Sequence, residues 1–498
     1  MQKPGVIFIN PSLAQDGGKC DEVLFPFAAI MLLATILDKS GYDVTIIDGN
    51  MYTSAECIEK VRAAVNENTV FAGFSVMTSQ VKWAYEVAGA LKKSHPALKI
   101  VWGGVHATLY PEQTVADPLI DIIAVNEACS SIAMLAEALR NGGDLSNVPG
   151  IYFKKDGKTI KNAPYLPDDI TKIPQIDFSL FDALRYARNN LLPKAYDLPL
   201  KDAVMMPIIT GLGCAYKCSF CINVILNRKY RYMEAKEIVD RIEFLQKEYG
   251  ANFFQLLDED FFINKKRTMD FIELVEKRGL KFYFRPWMRV SYFRDNYISE
   301  EVAKRLEKIG MVTAVMGAEC GSQAMLDKIH KQIKVEDTVN AARTLSKTRI
   351  VPRYSMMVGL PGETKDDILA TYRLALKLKD IDRRSDIPIL SFAAYPGSPI
   401  YSEAVRKYDL KEPGSLAEWA VLDFSGFLGF YSAQGKPWIF DRKIFERMNN
   451  YYNIGFQFSP RKTLRNKVLY PLLRSLIRFR FITGWFGFPV EEFILGCR

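Results

Sequence analysis

Residues 1–145 alternate short apolar runs with segments in which apolar residues recur at helical spacing. Apolar strands separated by amphipathic helices predict a parallel, doubly wound α/β sheet. Such a sheet binds ligands at the carboxyl ends of its strands. The predicted strands are Val6–Ile9, Val44–Ile47, Val70–Val76, Ile100–Trp102 and Ile120–Val125, and the predicted helices are Ala28–Lys39, Ala55–Asn66, Val81–Lys93 and Ser130–Arg140.

Residues 146–200 have little periodicity and are predicted to be a connector. Two short segments, Ile151–Lys154 and Thr159–Lys161, are expected to pair as a hairpin, because Asp156 and Gly157 between them favour a tight turn. Several prolines then interrupt the chain until the alternation of strands and helices returns.

Residues 201–400 again alternate apolar strands with amphipathic helices and predict a partial (β/α)6 barrel. The functional site of a parallel barrel lies at the carboxyl ends of its strands. Residues 401–498 are aromatic and basic and are predicted to be mainly helical. The predicted barrel strands are Met205–Thr210, Phe253–Leu257, Tyr283–Pro286, Thr313–Gly317, Tyr354–Val358 and Ile389–Ala393, and the helices between them include Lys236–Glu248, Lys265–Arg278, Glu300–Lys308 and Lys365–Lys379.

The composition is that of a folded protein of several domains. Hydrophobic residues make up 49% of the 498 residues and charged residues 25%, which excludes a disordered chain. The first apolar run has only the length of a strand, and no stretch reaches the roughly 18 apolar residues that cross a bilayer. We therefore expect a cytoplasmic protein.

Three of the eight cysteines are clustered. Cys214, Cys218 and Cys221 lie directly after the first predicted barrel strand, whereas the other five are scattered along the chain. Thiolates are soft ligands that suit iron–sulfur clusters, and three on one loop can hold three irons of a cubane and leave the fourth open. The absence of a fourth nearby cysteine disfavours a closed zinc site. Three incidental cysteines, or a zinc knuckle completed from elsewhere, remain as alternatives.

The Cys-x3-Cys-x2-Cys spacing after a first barrel strand resembles the radical S-adenosylmethionine (SAM) superfamily. The resemblance implies that Cys214, Cys218 and Cys221 hold a [4Fe–4S] cluster whose open iron chelates SAM. One-electron reduction would then cleave SAM to a 5′-deoxyadenosyl radical, which abstracts hydrogen. Phe220, the aromatic residue before the last cysteine, would pack on the adenine, with core packing as the alternative reading.

Two acidic segments continue the resemblance through the barrel. Three acids end the second predicted strand, and the resemblance implies that Asp258 or Glu259 binds the SAM ammonium. A glycine–glutamate–serine segment closes a later strand and implies that Glu319 and Ser322 lie near the ribose and methionine of SAM. Because an unpaired carboxylate at the end of an apolar strand is costly, we expect Glu319 to have a ligand or an arginine partner.

Two turns complete the predicted barrel site. Gly359-Leu360-Pro361-Gly362 is similar to a turn whose backbone contacts adenine, which implies such contacts for Gly359, Pro361 and Gly362. Residues 395–399, Tyr-Pro-Gly-Ser-Pro, match a turn common in cobalamin-binding members of the superfamily.

A Rossmann-like domain ahead of such a barrel resembles the cobalamin-dependent branch, which includes the class B methyltransferases. The stretch Gly103-Gly104-Val105-His106-Ala107-Thr108 carries this resemblance. It implies that Gly103, Gly104 and His106 contact cobalamin, because small residues allow a cofactor to approach the backbone. Hydroxyl groups that could bind the nucleotide tail or corrin amides belong to Ser75, Thr78 and Ser79.

The sequence departs from related cobalamin sites in two ways. No Asp-x-His-x-x-Gly motif is present, which implies base-off, histidine-off cobalamin. Asn126-Glu127-Ala128-Cys129 stands where the family usually has Gly-Glu-Gly-Glu, so part of the tail contact must differ. A domain that kept its fold but lost cobalamin is the alternative.

Residues 461–498 combine cations with apolar residues at three- and four-residue spacing, which predicts a basic amphipathic helix. Pro471 is expected to kink or split this helix. Two placements fit the pattern: an anionic membrane surface, or docking on the barrel with the arginines in water. The cations are Arg461, Arg465, Lys467, Arg474, Arg478 and Arg480, and Trp485, Phe486 and Phe488 follow.

The family resemblance implies a cobalamin-dependent radical SAM enzyme that methylates an unactivated carbon of a small or lipid-like substrate. A second SAM would regenerate methylcobalamin, and a reductant such as flavodoxin or ferredoxin would supply electrons. A radical cyclase, oxidoreductase or carbon–carbon coupling enzyme without methyl transfer is the first alternative, and a non-catalytic iron–sulfur protein is the second. Nucleic acid is not an expected partner, because no added RNA-binding module is evident.

Overall fold

The computed structural model describes residues 3–14, 25–165, 169–190, 196, 198, 202–226, 228–422, 435–457 and 464–487. It is a mixed α/β fold in which a largely parallel sheet precedes a curved parallel sheet and a helical terminal region. These features confirm the predicted fold class. The division of the chain at residues 145, 200 and 400 stays a prediction.

The first sheet has seven strands in the spatial order β2-β1-β3-β4-β5-β6-β7. Strands β1 to β5 run parallel, and β1 is almost entirely buried because helices cover both faces. The predicted hairpin forms, and its strand β6 pairs antiparallel with β5, so the hairpin extends this sheet. The strands are β1 Gly5–Asn10, β2 Asp43–Asp48, β3 Thr69–Ser75, β4 Ile100–Gly103, β5 Ile122–Ala124, β6 Ile151–Lys155 and β7 Lys158–Lys161.

Seven helices accompany this sheet among the described residues. Helix α2 begins at a capping box in which Thr53 and Glu56 satisfy each other's backbone N–H groups. Helix α1 has the bounds expected from its apolar spacing. The helices are α1 Ala28–Lys39, α2 Ser54–Ala64, α3 Val81–Ser94, α4 Val105–Leu109, α5 Pro111–Ala116, α6 Ser131–Arg140 and α7 Ala183–Asn189.

The second sheet contains the six predicted barrel strands, of which the third is divided by Pro286. Proline has no N–H to donate to a ladder, and the halves on its two sides pair with different neighbours. A bridge between Phe284 and Met311 joins the halves into one curved, parallel series. The strands are β8 Met205–Ile208, β11 Phe253–Leu256, β12 Tyr283–Arg285, β13 Trp287–Met288, β14 Thr313–Glu319, β15 Val351–Val358 and β16 Ile389–Ser391, with the small pair β9 Gly211–Leu212 and β10 Arg231–Tyr232 beside them.

Helices on the outside of this curved sheet alternate with its strands. Their buried faces and the strands form one continuous hydrophobic core. Because the strands are parallel, all their carboxyl ends lie at one edge, where the predicted SAM residues follow. The helices are α8 Ile222–Ile225, α9 Ala235–Tyr249, α10 Lys265–Arg278, α11 Glu300–Lys308, α12 Gln323–Lys328, α13 Val335–Leu345, α14 Lys365–Ile381 and α15 Pro399–Tyr408.

The terminal region is helical and contacts both sheets. Helix α16, Leu416–Val421, packs on α3 of the first sheet through the buried Trp419, and α17, Arg442–Tyr452, packs on the barrel through Phe445. Helix α18, Leu464–Thr483, runs through Pro471 without ending there, so of the two expected effects the split is wrong and the kink stays a prediction. Arg461 and Phe488 lie outside the described residues. Within the described residues no helix is both long and apolar enough to cross a membrane.

Helix α18 is held against the barrel by one of its faces. Leu473, Ile477 and Phe481 are buried, and Phe481 stacks on Tyr372 of α14 with ring centroids 4.5 Å apart. Arg480 is also buried. This packing offsets the backbone hydrogen bond that a proline inside a helix removes, a loss of about 3 kcal/mol or more.

Candidate functional site

The three clustered cysteines lie on a loop between β9 and α8, at the carboxyl end of the first barrel strand. Gly213 opens the loop with a φ of +77°, and a side chain there would collide with the carbonyl of Lys229 at 2.6 Å. The Cys221 N–H donates to the Cys218 carbonyl at 3.0 Å. The Ser219 N–H donates to Ile329 at 3.0 Å, which ties the loop to the end of α12.

The three thiols form no disulfide. No three His, Cys, Asp or Glu side chains of the described chain converge on a single ion. The cysteines of a cubane, by contrast, each bind a different iron. Burial raises the pKa of Cys214 to about 11 and also raises that of Cys221, so these two thiols are protonated at neutral pH when no metal is bound. Metal binding would therefore release protons.

Asp258 is part of a buried ion pair rather than an open ligand site. Its carboxylate accepts hydrogen bonds from the Thr210 N–H at 2.9 Å and hydroxyl at 2.7 Å. The Arg267 guanidinium donates to its other oxygen at 3.1 Å, and both side chains are at most 2% exposed. Asp258, one of two candidates for the SAM ammonium, thus has a structural role here, and its contact with SAM stays a prediction.

Glu259, the second candidate, lies on the accessible side of the same strand end. It is half-buried, and its Oε1 is 4.0 Å from the Arg228 Nη1. Its Oε2 is buried without a hydrogen-bond partner. Burial raises the pKa of Glu259. An oxygen left in this state suits a cationic ligand group, because buried polar atoms normally have a partner.

Glu319 and Phe220 meet around a lysine. Glu319 ends β14 with a φ of +60°, a strained conformation for a residue with a side chain, and its carboxylate accepts a hydrogen bond from Lys331. The Lys331 ammonium also lies 5.7 Å from the centre of the Phe220 ring. The expected partner of Glu319 is thus a lysine, not an arginine. A side chain at Gly317 would strike Glu319 at 2.2 Å, so this close pair requires glycine there.

Ser322 and the Gly359 turn form hydrogen bonds with other residues of the protein. The Ser322 hydroxyl bonds to Asp367 at 2.5 Å and caps α12. The Gly359 N–H donates to Glu363, and the Gly359 carbonyl accepts from Trp438 Nε1 at 2.7 Å.

The rest of that turn is equally engaged. The Pro361 carbonyl accepts a hydrogen bond from Lys328, and a side chain at Gly362 would strike the Lys328 ammonium at 2.6 Å. Ser322, Gly359, Pro361 and Gly362 thus have structural contacts within the protein, and their contacts with SAM stay predictions.

A cavity of about 380 Å3 lies between the carboxyl ends of the first sheet's strands and the barrel. Its size falls within the range of small-molecule sites. Ser75, Gly103 and Gly104 line it from the first sheet, while Leu257 and Glu259 line it from the barrel. Met77, which the sequence did not single out, also lines it.

Polar groups at the boundary of this cavity bridge the two halves of the chain. Glu127 follows β5 and forms a salt bridge with Arg231, and its Oε1 is 4.0 Å from Arg228 Nε. Glu127 Oε2 and Arg228 Nε are buried without hydrogen-bond partners. The cavity has an apolar wall and buried polar atoms without partners. These features suit a large ligand that carries polar substituents, such as cobalamin.

The glycine and asparagine positions near the cavity have distinct structural reasons. Gly104 has a φ of +89°, and a side chain there would lie 2.6 Å from the Val76 nitrogen, so the strand ends themselves require this glycine. Asn126 stands where the family usually has glycine. It has a φ of +62°, which asparagine tolerates better than most residues. Its N–H donates to the Thr108 hydroxyl at 2.9 Å.

His106 and Thr78 are buried beside the cavity and do not line it. The His106 ring lies 3.4 Å from the Thr78 hydroxyl and packs against Trp419, with centroids 5.6 Å apart. Burial lowers the pKa of His106 to about 3, so the ring is neutral. Ser79 is half-buried and does not line the cavity either. The cobalamin contacts of His106, Thr78 and Ser79 stay predictions, since the cavity wall does not include these side chains.

The Tyr-Pro-Gly-Ser-Pro turn lies where the first sheet, the cysteine loop and the barrel meet. A side chain at Gly397 would strike Leu109 at 2.6 Å and approach Ile225 at 3.2 Å. The Ile400 N–H donates to Ser219 of the cysteine loop at 3.3 Å. The turn therefore fixes the loop against the first domain, a packing role that requires glycine at its centre.

Two sequence-family models match the chain in the places that this geometry indicates. Residues 208–375 match the radical SAM superfamily, and residues 21–137 match the B12-binding domain. The chain is a radical SAM enzyme with a B12-binding domain. The predicted cofactors, a [4Fe–4S] cluster, SAM and cobalamin, agree with these two domains, and the enzyme prediction is confirmed.

Known proteins of this class resemble the radical SAM enzyme over most of its length. An uncharacterized methyltransferase of Pyrococcus horikoshii is 28% identical over 404 residues, which are 78% of this chain and 82% of the relative. The anaerobic magnesium-protoporphyrin IX monomethyl ester cyclase of Rubrivivax gelatinosus is 27% identical over 96% of this chain and 81% of its own. Both overlap the two matched domains.

Solved structures share the fold. The cobalamin-dependent SAM radical enzyme OxsB, with aqua-cobalamin and SAM bound, superimposes with a TM-score of 0.68 and 17% identity, over 97% of this chain and 72% of its own. The methyltransferase TsrM of Kitasatospora setae, with cobalamin and a [4Fe–4S] cluster bound, gives a TM-score of 0.63 and 17% identity, over 84% and 81% of the two chains. At these identities the likeness establishes the fold alone.

Substitutions that neutralise the adjacent acids Asp258 and Glu259 are expected to have different effects: the first on stability and the second on SAM binding. Asp258→Asn leaves the Arg267 charge buried and unpaired, which should cost about 3–5 kcal/mol and lower the thermal unfolding midpoint. Glu259→Gln should change stability by less than about 1 kcal/mol. It should weaken SAM binding about tenfold or more, because hydrogen bonds to charged groups contribute about 1.5–3 kcal/mol.

Calorimetric unfolding and anaerobic equilibrium dialysis of SAM with the reconstituted enzyme measure the two effects. A stable Asp258→Asn variant that loses SAM, together with a Glu259→Gln variant that binds it normally, would reverse the two roles.

Proposed function

We propose that this radical SAM enzyme methylates an unactivated carbon of a small or lipid-like substrate. The cavity shared by the first sheet and the barrel carries the proposal, because it is lined both by the strand ends of the B12-binding domain and by Glu259 of the barrel. A cofactor on one side and SAM on the other would leave the substrate between them. The methyltransferase names of several relatives support this choice.

The residues proposed to bind the cluster and SAM all lie in the barrel. Cys214, Cys218 and Cys221 would hold the cluster, which supplies the electron that cleaves SAM when it is bound. Glu259 would receive the SAM ammonium, since its Oε2 has no partner in the protein. Phe220 would cover the adenine from the cysteine loop.

The reaction balances with two molecules of SAM for each methyl group transferred. One SAM loses its methyl group and leaves as S-adenosylhomocysteine. The other is reductively cleaved and leaves as methionine and 5′-deoxyadenosine, which carries the hydrogen taken from the substrate. The methyl-transfer branch and the SAM-cleavage branch each consume one electron for every methyl group transferred. A low-potential donor such as flavodoxin or ferredoxin is therefore required.

A radical cyclase is the second candidate function. It rests on the resemblance to the Rubrivivax gelatinosus cyclase, which extends over 96% of this chain. Such an enzyme would consume SAM reductively and would not pass a methyl group to its product. The two candidates therefore differ in what becomes of SAM.

The full-length enzyme, reconstituted anaerobically with iron, sulfide and hydroxocobalamin, is expected to form 5′-deoxyadenosine and S-adenosylhomocysteine from SAM under dithionite. The second product should require cobalamin, since the methyl group leaves SAM only for that acceptor. Chromatography with mass detection measures both. Cys218→Ala should abolish 5′-deoxyadenosine, whereas Cys57→Ala, which changes a buried thiol of the first domain, should not.

Formation of 5′-deoxyadenosine without any cobalamin-dependent S-adenosylhomocysteine would favour the cyclase. Once a substrate is found, a product heavier by one CH2 supports methylation, and an unchanged mass or the loss of two hydrogens opposes it.

We also propose that α18 binds an anionic membrane surface. The helix docks on the barrel by one face and exposes apolar side chains on the other. Leu472, Phe479 and Ile482 are each more than half exposed, and Trp485 follows just beyond the helix at 52% exposure. Exposed large apolar groups at seven- and three-residue spacing form one side of a helix, which is the arrangement of an interfacial helix.

The charge of this segment supports the same surface. No Asp or Glu occurs between Arg447 and Val490, although several Arg and Lys residues do. Arg478 pairs with Asp380 at 2.8 Å, and Arg474 donates to the Gly455 carbonyl at 2.6 Å, so part of the positive charge also fixes the helix to the barrel. Positive charge beside an exposed apolar ridge matches anionic lipid headgroups.

The full-length protein is therefore expected to sediment with phosphatidylcholine vesicles that contain phosphatidylglycerol, and less so with pure phosphatidylcholine or at high salt. Replacing Phe479 and Ile482 by Ser should weaken sedimentation, because both contribute exposed apolar area. Phe244→Ser, at a comparably exposed position on α9, is the matched control. Equal loss in both variants, or no dependence on anionic lipid, would contradict the proposal.

A further inference from the structure

Arg289 lies at the end of β13, directly against the cysteine loop. Its side chain is buried, with 6% of the residue exposed. One guanidinium nitrogen is 3.8 Å from the Cys218 sulfur, and the guanidinium carbon is 3.5 Å above the centre of the Tyr216 ring. The other terminal nitrogen donates to the Lys331 carbonyl. Three separate contacts therefore fix the group beside one of the three clustered thiols.

The neighbourhood of Arg289 does not supply a full counter-charge. Arginine remains charged at any physiological pH, and no described carboxylate forms a salt bridge with it. Asp260 attracts it, but this carboxyl accepts a hydrogen bond from Tyr292 at 2.6 Å, and burial raises its pKa to about 7. Lys331 and Glu319 neutralise each other.

A buried charge is costly unless an opposite charge faces it, so the position calls for an anion beside Cys218. A cubane cluster with three thiolate ligands has this property. The thiolates outweigh the positive charge of the iron–sulfide core, and each reduction adds one more negative charge. Nε of Arg289 is also buried without a hydrogen-bond partner and is therefore available to donate to an anionic group.

We propose that Arg289 sets the reduction potential of the cluster by placing a fixed positive charge on the Cys218 side. The inference rests on the proposed cluster ligands and adds a residue that is not itself a ligand. A nearby cation stabilises the reduced cluster more than the oxidised one, and hydrogen bonds to sulfur act in the same direction. Arg289 thus makes the electron transfer that begins SAM cleavage easier for a weak reductant.

The test is an anaerobic redox titration of the full-length, reconstituted protein without SAM, followed by electron paramagnetic resonance. At a solution potential equal to the wild-type midpoint, Arg289→Gln should lower the ratio of reduced to oxidised cluster by about tenfold, equivalent to about 59 mV for one electron. Arg289→Lys should fall between the two, because it keeps the charge and loses the planar stack on Tyr216.

Arg285→Gln is the matched control, because Arg285 stands on the same divided strand and stacks on Trp287, away from the cysteine loop. Its midpoint should equal that of the wild type. An Arg289→Gln protein with full iron and sulfide and an unchanged midpoint would overturn the inference. A wild-type protein that binds no cluster would instead overturn the proposed ligands.

If the Arg289→Gln protein assembles too little cluster to titrate, the same redox titration is made on the Tyr216→Leu protein. Loss of the ring releases the guanidinium from its stack, so a smaller shift in the same direction is expected. An unchanged midpoint at full iron content in that variant would overturn the inference.

Discussion

The buried ion pair of Asp258 and Arg267 fixes the point at which the cysteine loop leaves the barrel. Arg267 comes from α10, Asp258 from the end of β11, and both bond to Thr210 at the end of β8. An unpaired Asp258 or Arg267 charge would be costly in this interior. Strands β8 and β11 and helix α10 are therefore expected to pack together cooperatively. With the strand ends held, Glu259 is left on the accessible side, and the loop with its three thiols begins at Gly213, directly after the short strand β9.

The same edge of the barrel also meets the first domain. Glu127, Arg228 and Arg231 connect the loop after β5 to the chain that follows the cysteines. Gly397 packs against Leu109 on the opposite side of the loop. The two domains are thus joined around the cysteines rather than through a remote linker, and the cavity between them is bounded by the residues that would hold the two cofactors.

Local patterns were sufficient for the fold class, because strand and helix periods are properties of short segments, and the Cys-x3-Cys-x2-Cys spacing is likewise local enough to single out the proposed cluster ligands. They could not separate Asp258 from Glu259, since adjacent residues at a strand end face opposite ways and only the position of Arg267 decides between them. The packing of His106 was out of reach for a related reason: its aromatic partner Trp419 lies on a helix more than 300 residues later. Lys331 and Arg289 carry no sequence signal, because their partners come from segments that are distant in the chain.

The central claim is that a cluster on the cysteine loop lies close to cobalamin bound in the cavity between the two domains. Electron paramagnetic resonance of the full-length protein, loaded with both and reduced so that cob(II)alamin and the reduced cluster coexist, tests it most directly. Both species have unpaired electrons, so the account predicts that each signal is broadened or split by the other. Two signals identical to those of protein loaded with only one cofactor would contradict it.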